Sequence, residues 1–380
     1  MKKLAIITTH IIQYQIPLFK ELKKKNIDTS VFFASNHGLK KSYRDPEFLV
    51  KFNWNSYTNL LKGFKSFFPK VQKFKINDFR LSFDGIEEKL KNGKFDAIFI
   101  LGWNNFHYLN AIRIAKKYNI KIIFRCENNL KATNNFFIKL LKKILLRLLF
   151  KKFKYFLSIG KLNNNFYLHH KVDRSKILQA PYFVDNKFFK VGIKKKKVKK
   201  RLNLSYKKII LFVGKLNERK RPFDFINLAK INKKNKNLFF LMIGDGKLKK
   251  KCLEKIDKDK IKNILLKGFV NQKELREIYK ISDLYIQTSS YETWGLTINE
   301  AMASGTPVLC TKSCGAYYDL IKNRNTGMSY ESANISELNK KMNFMIKNSH
   351  EFKKSIIKEV ISHFTVKKTV SSIKKIMYEK

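Results

Sequence analysis

Two carboxylates, Glu292 and Glu300, stand eight positions apart in the stretch 289–308. Gly295 follows the first acid closely, and small residues around the second favour a short helix that ends at Gly305. Carboxylates on a loop and on the helix after it can accept hydrogen bonds from the vicinal hydroxyls of a ribose or a hexose. Two solvated surface acids are the alternative interpretation of this spacing.

Two lysines, Lys215 and Lys220, follow Gly214 at the end of an apolar run. A glycine permits close approach of the backbone, and two cations around a turn before a helix suit a diphosphate. A second turn with Gly244 and Gly246 would let a ligand lie against the backbone, although an ordinary turn explains it equally well.

The elements that must position these residues alternate regularly between strand and helix. Apolar runs predict strands at 4–8, 29–34, 95–101, 120–124, 155–159, 208–213, 237–243, 264–269, 284–287 and 308–310. Helical segments separate most of them, which predicts parallel, doubly wound α/β sheets. The alternation of strands and helices starts again near residue 208, so we expect two Rossmann-like domains whose parallel sheets face a central cleft. The predicted division is 1–190, a basic linker at 191–204, 205–347, and a helical tail at 348–380 that packs back on the N-terminal domain.

The chain has 380 residues and a formal net charge of +52. Lys, Asn, Ile and Phe are all abundant, which is typical of AT-rich codon usage, so part of the lysine excess is discounted. Such a charge predicts attraction to phosphorylated small molecules, anionic membranes or nucleic acid. Four scattered cysteines without partners at metal spacing argue against a zinc site and favour reduced thiols in a cytosolic protein. Neither an export signal nor an apolar window of about 18 residues is evident, so no spanning helix is expected.

The segment 133–156 predicts a long amphipathic helix. Basic residues share about half of its circumference at 100° per residue: Lys139, Lys142, Lys143, Arg147, Lys151 and Lys154. An ordinary domain helix with a solvated basic face is one interpretation, and a face that rests on anionic lipid headgroups is the other.

Several motifs occur in the same order as in the donor-binding domain of glycosyltransferase family 4, which this part of the chain resembles. Members of that family are retaining enzymes of the GT-B fold. The resemblance covers about residues 205–325, and the segment 181–185 is similar to the interdomain segment of that family. The motifs are Gly214-Lys215-Leu216-x3-Lys220, Gly244-Asp245-Gly246, Gly268-Phe269-Val270, Ser282-Asp283, Ser289-x2-Glu292-x2-Gly295 and Glu300-Ala301-Met302-Ala303-x-Gly305-x-Pro307-Val308.

The resemblance implies a role for each charged residue. Glu300 would bind the ribose hydroxyls of a nucleotide sugar, and Glu292 would contact the transferred sugar. Lys215 and Lys220 would neutralise the diphosphate leaving group in place of a metal, so no metal and no other cofactor are expected. The family usually has arginine where this chain has Lys215, and lysine lacks the bidentate fork. Further donor contacts are expected from the backbone of Gly214, Gly244, Gly246, Trp294, Gly295 and Leu296.

The N-terminal half resembles the family more loosely, as acceptor-binding domains do. Its loop after the first strand lacks the glycines that many relatives have there. Polar and aromatic residues at predicted strand ends are the candidates for acceptor or sugar contacts: His10, Gln13, Trp103, Asn104, His107, Arg125 and Glu127. For His107, an ordinary position at the start of a helix is the alternative.

The expected activity is a retaining, metal-independent hexosyl transfer from a nucleotide sugar to a lipid-linked or cell-envelope glycan, such as a capsule or a lipopolysaccharide. The expected partners are the donor, the acceptor and an anionic membrane, and the expected location is the cytoplasm at the inner face of the membrane. A nucleotide-sugar epimerase or phosphorylase of the same fold, or a non-catalytic polyanion-binding protein, are the alternatives. Nucleic acid is not an expected partner, because no nucleic-acid-binding motif is present.

Overall fold

The computed structural model describes residues 1–37, 43–44, 51–52, 61–71, 75, 78–131, 136–190, 192–204 and 208–379. Within these residues the chain forms two compact units. The first comprises Met1–Tyr43, Phe52–Tyr182 and Val366–Lys380, and the second comprises Arg44–Lys51 and Phe183–Thr365.

The first unit contains a seven-stranded sheet in the order β5-β2-β1-β6-β7-β8-β9. All its neighbouring strands are parallel. The strands are β1 (Lys2–Thr8), β2 (Ile27–Phe33), β5 (Lys65–Phe67), β6 (Ala97–Ile100), β7 (Lys121–Phe124), β8 (Tyr155–Ser158) and β9 (Ile177–Gln179). Two further short strands, β3 (Tyr43–Arg44) and β4 (Lys51–Phe52), pair with each other. The central strands read as nearly continuous buried runs because parallel sheets are covered on both faces.

Helices cover this sheet, and the last of them returns from the far end of the chain. The helices are Ile16–Lys24, Ile86–Asn92, Phe106–Lys117, Phe136–Phe150, Lys161–His169 and Val366–Tyr378. The Val366–Tyr378 helix contacts both the Ile16–Lys24 helix and β9. The hydroxyl of Ser372 donates a hydrogen bond of 2.6 Å to the carbonyl of Gln179 at the end of β9.

The second unit contains a six-stranded parallel sheet in the order β12-β11-β10-β13-β14-β15. The strands are β10 (Lys208–Val213), β11 (Leu238–Ile243), β12 (Ile264–Gly268), β13 (Leu284–Gln287), β14 (Val308–Thr311) and β15 (Gly327–Tyr330). Chain order reverses between β10 and β13, because β10 connects onward to β11 on one side and β13 connects onward to β14 on the other. The crevice at such a reversal is where open α/β sheets bind ligands.

Eight helices belong to the second unit among the described residues: Asn186–Lys190, Lys195–Arg201, Pro222–Ile231, Lys249–Lys258, Gln272–Ile281, Leu296–Ala303, Ile335–Lys347 and Lys354–Ser362. The Lys195–Arg201 helix lies in the stretch that the sequence suggested as a linker, and its Val198 is buried. The segment 348–380, which the sequence suggested as a single tail, is divided between the two units. Its Lys354–Ser362 helix lies in the second unit, whereas its Val366–Tyr378 helix lies in the first.

The amphipathic helix ends earlier than the predicted residue 156, since its described part is Phe136–Phe150 and the chain has entered β8 by Tyr155. Residues 132–135 lie outside the described part of the chain. None of the described helices is long and apolar enough to cross a bilayer.

Candidate functional site

The loops after β10 and β13 are joined at the carboxyl edge of the second sheet. The backbone amide of Ser290 donates to the carbonyl of Arg219 at 2.8 Å. The hydroxyl of Thr288 donates to the carbonyl of Lys220 at 2.6 Å. The topological switch point therefore brings the basic loop against the acidic loop and fixes their separation.

An ion-pair cluster forms where these loops meet. Lys220 Nζ lies 2.5 Å from Glu292 Oε1, and Arg219 Nη1 lies 2.9 Å from Glu292 Oε2. The Glu292 side chain is only 9% exposed. Burial acts to raise the pKa of Glu292, but the charges of Lys220 and Arg219 outweigh it and hold this pKa below its ordinary value. Glu292 is thus a buried carboxylate that stays ionised at neutral pH.

The turn Glu218–Lys220 sets the direction of the Lys220 side chain. Asn217 caps this turn by accepting a hydrogen bond from the Lys220 amide at 3.0 Å. A Cβ at Gly214 would lie 3.5 Å from Lys220 Cδ, so the lysine passes closely over this glycine. Lys215 follows in the same loop and is half-buried.

Gly244 and Gly246 allow a close contact between two loops of the protein itself. A Cβ at Gly244 would lie 1.9 Å from the carbonyl oxygen of Gly214, and one at Gly246 would lie 2.7 Å from that of Leu216. The Leu216 amide donates to the carbonyl of Asp245 at 2.8 Å. These glycines therefore hold the loop of Lys215 in place, whereas their contact with a ligand stays a prediction.

Glu300 lies half-buried on the Leu296–Ala303 helix, where the Tyr279 hydroxyl donates to its Oε2 at 2.9 Å. Burial raises the pKa of Glu300 to about 7, although the Tyr279 hydrogen bond and the charge of Lys220 act against it. Lys220 thus acts electrostatically on both acids. Two carboxyl groups with different pKa values occupy one site, and Glu300 titrates near neutral pH.

The segment that joins the two acids is fixed mainly by its backbone. Gly295 has a φ of +107°, and a Cβ there would lie 2.7 Å from Cys314 Sγ. The Trp294 indole is buried and donates to Asn299 Oδ1 at 2.8 Å, so its ring is part of the protein interior. Leu296 begins the helix. Of these three predicted donor contacts, Trp294 can offer a ligand only its backbone.

The first unit places four of its candidates at the ends of β1 and β6, at the switch point of its own sheet. Thr9 Oγ1 and His10 Nδ1 lie 2.9 Å apart, and Gln13 is half-buried in the turn that follows. Trp103 Nε1 donates to Asn128 Oδ1 at 3.2 Å, whereas Asn104 is exposed.

Arg125 and Glu127 follow β7 and belong to a cluster with two tyrosines. The Arg125 guanidinium lies 4.7 Å from the centre of the Tyr182 ring, which is a cation–π contact. The Tyr14 hydroxyl donates to Glu127 Oε1 at 3.3 Å and lies 3.3 Å from the Tyr182 hydroxyl. Burial raises the pKa of Glu127, against the effect of the Arg125 charge and the Tyr14 hydrogen bond.

His107 does not lie where a contact with a sugar requires it. Its side chain is 1% exposed and packs near the rings of Tyr108 and Phe83. Burial lowers the pKa of His107 to about 4. The alternative interpretation, a structural histidine at the start of the Phe106–Lys117 helix, agrees with this position.

Sequence reasoning missed four members of these clusters: Arg219, Tyr279, Tyr14 and Tyr182. Arg219 immediately precedes Lys220, so its position in a basic loop was the available signal. The tyrosines are distant along the chain from the acids that they contact, and no local pattern marks them. Among the described residues, no group of three or more His, Cys, Asp or Glu side chains is arranged to hold a metal.

Comparison with known proteins shows which family the second unit resembles. The model of the family "Glycosyl transferases group 1" matches residues 193–363, which include both acids together with Lys215, Arg219 and Lys220. A curated relative, an uncharacterized glycosyltransferase of Methanocaldococcus jannaschii, is 30% identical over 122 residues, or 32% of this chain and 31% of the relative.

A second relative is the Escherichia coli UDP-Gal:alpha-D-GlcNAc-diphosphoundecaprenol alpha-1,3-galactosyltransferase. It is 29% identical over 221 residues, or 53% of this chain and 54% of the relative. The matches therefore span about a third to a half of the length of these curated relatives.

Among solved structures, the chain is similar to HepE of Anabaena in complex with UDP and glucose. The TM-score is 0.74 at 12% identity, and all of both chains is covered. At this identity the likeness concerns the fold alone. Residues 193–363 thus match the model of the glycosyl transferases group 1 family, and the chain has the GT-B fold.

Proposed function

We propose that the protein is a retaining, metal-independent glycosyltransferase that moves a sugar from a nucleotide-sugar donor to a lipid-linked or cell-envelope glycan. The observation that carries this proposal is the contact of Lys220 and Arg219 with Glu292 at the switch point of the second sheet, inside the family domain. A cationic loop beside two carboxyl groups offers partners both for a diphosphate and for sugar hydroxyls.

The proposed roles follow from charge. The diphosphate carries the charge that develops on the leaving group, and Lys220 with Lys215 stabilises it without a metal. Arg219 adds the planar guanidinium that lysine lacks. Glu300 accepts hydrogen bonds from the ribose hydroxyls when it is ionised, and it can also donate one when it is protonated. Its raised pKa makes both protonation states available near neutral pH. Glu292 remains ionised and contacts the transferred sugar.

The acceptor side of the proposal rests on the first unit and on the relatives. The E. coli relative acts, by its name, on a diphosphoundecaprenol-linked sugar. The Phe136–Phe150 helix of this chain exposes a row of large apolar side chains, which suits an enzyme whose acceptor is held in a membrane. We therefore place the enzyme at the inner face of the cytoplasmic membrane as a peripheral protein.

A thermal-shift panel of nucleotide sugars tests the donor part. We expect one donor to raise the melting temperature of the full chain more than its epimers do, since a ligand that binds only the folded state stabilises it. Transfer is then followed with that donor and a membrane extract as acceptor source. The anomeric configuration of the product by NMR tests retention, and an inverted product would contradict it.

Two substitutions and one chelator complete the test. Glu300→Ala and Lys220→Ala should each abolish transfer while the circular dichroism spectrum stays unchanged, and retained transfer by both would refute the site. Transfer should persist in excess EDTA. Loss of transfer that Mg²⁺ or Mn²⁺ restores would contradict the metal-independent mechanism.

A further inference from the structure

A cavity of about 530 Å³ lies in the first unit, between the end of the Phe136–Phe150 helix and the segment 170–176. Its floor is apolar and is formed by Phe150, Phe156 and Val172, all of which are buried. None of these residues belongs to the candidate site described above. The cavity is therefore a separate feature of the first unit.

The rim of this cavity is strongly basic. Four cations line it, namely Arg147, Lys151, Lys171 and Lys176, against a single acid, Asp173. Asp173 Oδ1 already accepts hydrogen bonds of 2.8 Å from both the amide and the hydroxyl of Ser175. Asp173 offsets only one of the four cations, so the rim keeps an excess of positive charge that favours an anionic ligand.

Arg147 supplies a second, independent indication of such a ligand. Its Nε is buried and has no hydrogen-bond partner among the residues that the structure describes. A buried donor without an acceptor is costly, and native proteins rarely leave one. A guanidinium also matches the oxygen geometry of a phosphate better than an ammonium does. The cavity lining thus contains a guanidinium whose Nε has no acceptor among the described residues.

The apolar wall of the cavity continues into the exposed face of the same helix. Ile144 and Leu148 line the cavity and are 53% and 58% exposed, respectively. Phe137, Leu141 and Leu145 extend this face along the helix and are 55–74% exposed. A ligand with an anionic head and apolar chains matches a basic pocket that opens onto a row of exposed apolar side chains.

We propose that this cavity binds the phosphate head group of an anionic phospholipid, with Arg147 as its main donor. Lys151, Lys171 and Lys176 surround the phosphate, and the acyl chains of the lipid leave the pocket along Ile144 and Leu148. The site rests on the membrane location proposed above, but it does not depend on the proposed sugar transfer.

Binding of a soluble, short-chain lipid to the full-length protein tests this site without a membrane. Dihexanoyl phosphatidylglycerol is titrated below its micelle concentration by calorimetry, beside dihexanoyl phosphatidylcholine and inorganic phosphate. We expect phosphatidylglycerol to bind roughly ten-fold more tightly than either of the others, since the site needs both an anionic head and chains. Equal binding of the two lipids overturns the proposal, and phosphate that binds as tightly as phosphatidylglycerol replaces it with a free-anion site.

Matched variants locate the binding. Arg147→Gln combined with Lys151→Gln should weaken phosphatidylglycerol binding by roughly ten-fold or more, and so should Lys171→Gln combined with Lys176→Gln. The second pair leaves the helix untouched, so it keeps the test valid if the first pair fails to fold. The control Lys142→Gln with Lys152→Gln removes the same charge from exposed positions outside the cavity and should bind as the wild type does. Unchanged binding by the folded cavity variants overturns the site, whereas absent sugar transfer with intact lipid binding contradicts only the proposed function.

Discussion

Lys220 Nζ and Glu292 Oε1 lie 2.5 Å apart, and Arg219 contacts the other oxygen of the same carboxylate. The single carboxylate therefore compensates about half of the positive charge of the two cations that are proposed to bind a diphosphate. An entering diphosphate must compete with Glu292 for Lys220 and Arg219. Diphosphate affinity should therefore respond to substitution of Glu292.

Glu292→Gln should separate binding from transfer. Loss of the competing carboxylate should tighten nucleoside diphosphate binding by roughly ten-fold or more, since a hydrogen bond to a charged group contributes about 1.5–3 kcal/mol. Transfer should fall by about 100-fold or more, because the amide cannot replace a charge that stabilises the reacting sugar. Calorimetry and initial rates measure the two effects. The exposed Glu254→Gln serves as control, and weaker diphosphate binding in Glu292→Gln would contradict the competition.

Lys220→Ala should lower both stability and diphosphate affinity. It leaves the buried Glu292 with Arg219 as its remaining ion-pair partner, which should reduce the free energy of unfolding by about 1–3 kcal/mol. Urea denaturation measures this change. Lys230→Ala is the matched control because Lys230 pairs with Asp259 at the surface, and the two variants should differ clearly. Equal stability of both variants would show that the buried pair contributes nothing.

Glu300 should make stability depend on pH between about 4.5 and 7. Its folded pKa is raised, so the folded state binds more protons than the unfolded state in this window, and stability falls as pH rises. The free energy of unfolding of the wild type should therefore fall by about 1–3 kcal/mol relative to that of Glu300→Gln as pH rises from 4.5 to 7.5. Denaturation at a series of pH values measures the difference. Parallel pH profiles for the two proteins would contradict the raised pKa.

Gly244→Ala should disturb the basic loop from a distance. The added methyl group would meet the Gly214 carbonyl, so the loops must separate at a cost of about 1–3 kcal/mol. Diphosphate affinity should fall as well, because the loop that shifts carries Lys215. Gly192→Ala is the control, since no atom of the described residues lies within 4 Å of a Cβ there. A Gly244→Ala variant with wild-type stability would mean that the loops can move apart freely.

Leu141→Ser combined with Leu145→Ser should remove the protein from vesicles and leave its fold intact. Both side chains are more than half exposed, so they contribute little to stability but much to insertion of the helix into a monolayer. Flotation with vesicles that contain phosphatidylglycerol measures the effect, and Leu253→Ser on another exposed helix is the control. Undiminished flotation of the double variant would exclude this face from membrane contact.

Local pattern predicted much of this molecule. The strands at 208–213 and 284–287 match β10 and β13, because short apolar runs between turns leave little choice of structure. Glu292 and Lys220 were likewise identified from the loops that follow these strands. The contacts of Arg219 with Glu292 and of Tyr279 with Glu300 could not be predicted in this way. They depend on tertiary packing, which brings together residues that are up to about 70 positions apart.

For the amphipathic helix, the sequence predicted the helix but not which of its faces packs on the protein. Its periodicity was evident, but the sequence did not reveal which side would face the protein. Leu146 and Phe150 turn inward while Leu141 and Leu145 remain outside, because the Phe-rich interior around Phe124 and Phe156 accepts only the C-terminal end of the helix.

The return of the Val366–Tyr378 helix to the first unit has a consequence for biosynthesis. The ribosome makes this helix after the entire 183–365 segment, so the partner of Ile16–Lys24 and β9 arrives last. A nascent chain must therefore keep the apolar surface of its oldest part uncovered while the second sheet assembles. During translation, the first unit therefore begins before the second unit but is completed after it.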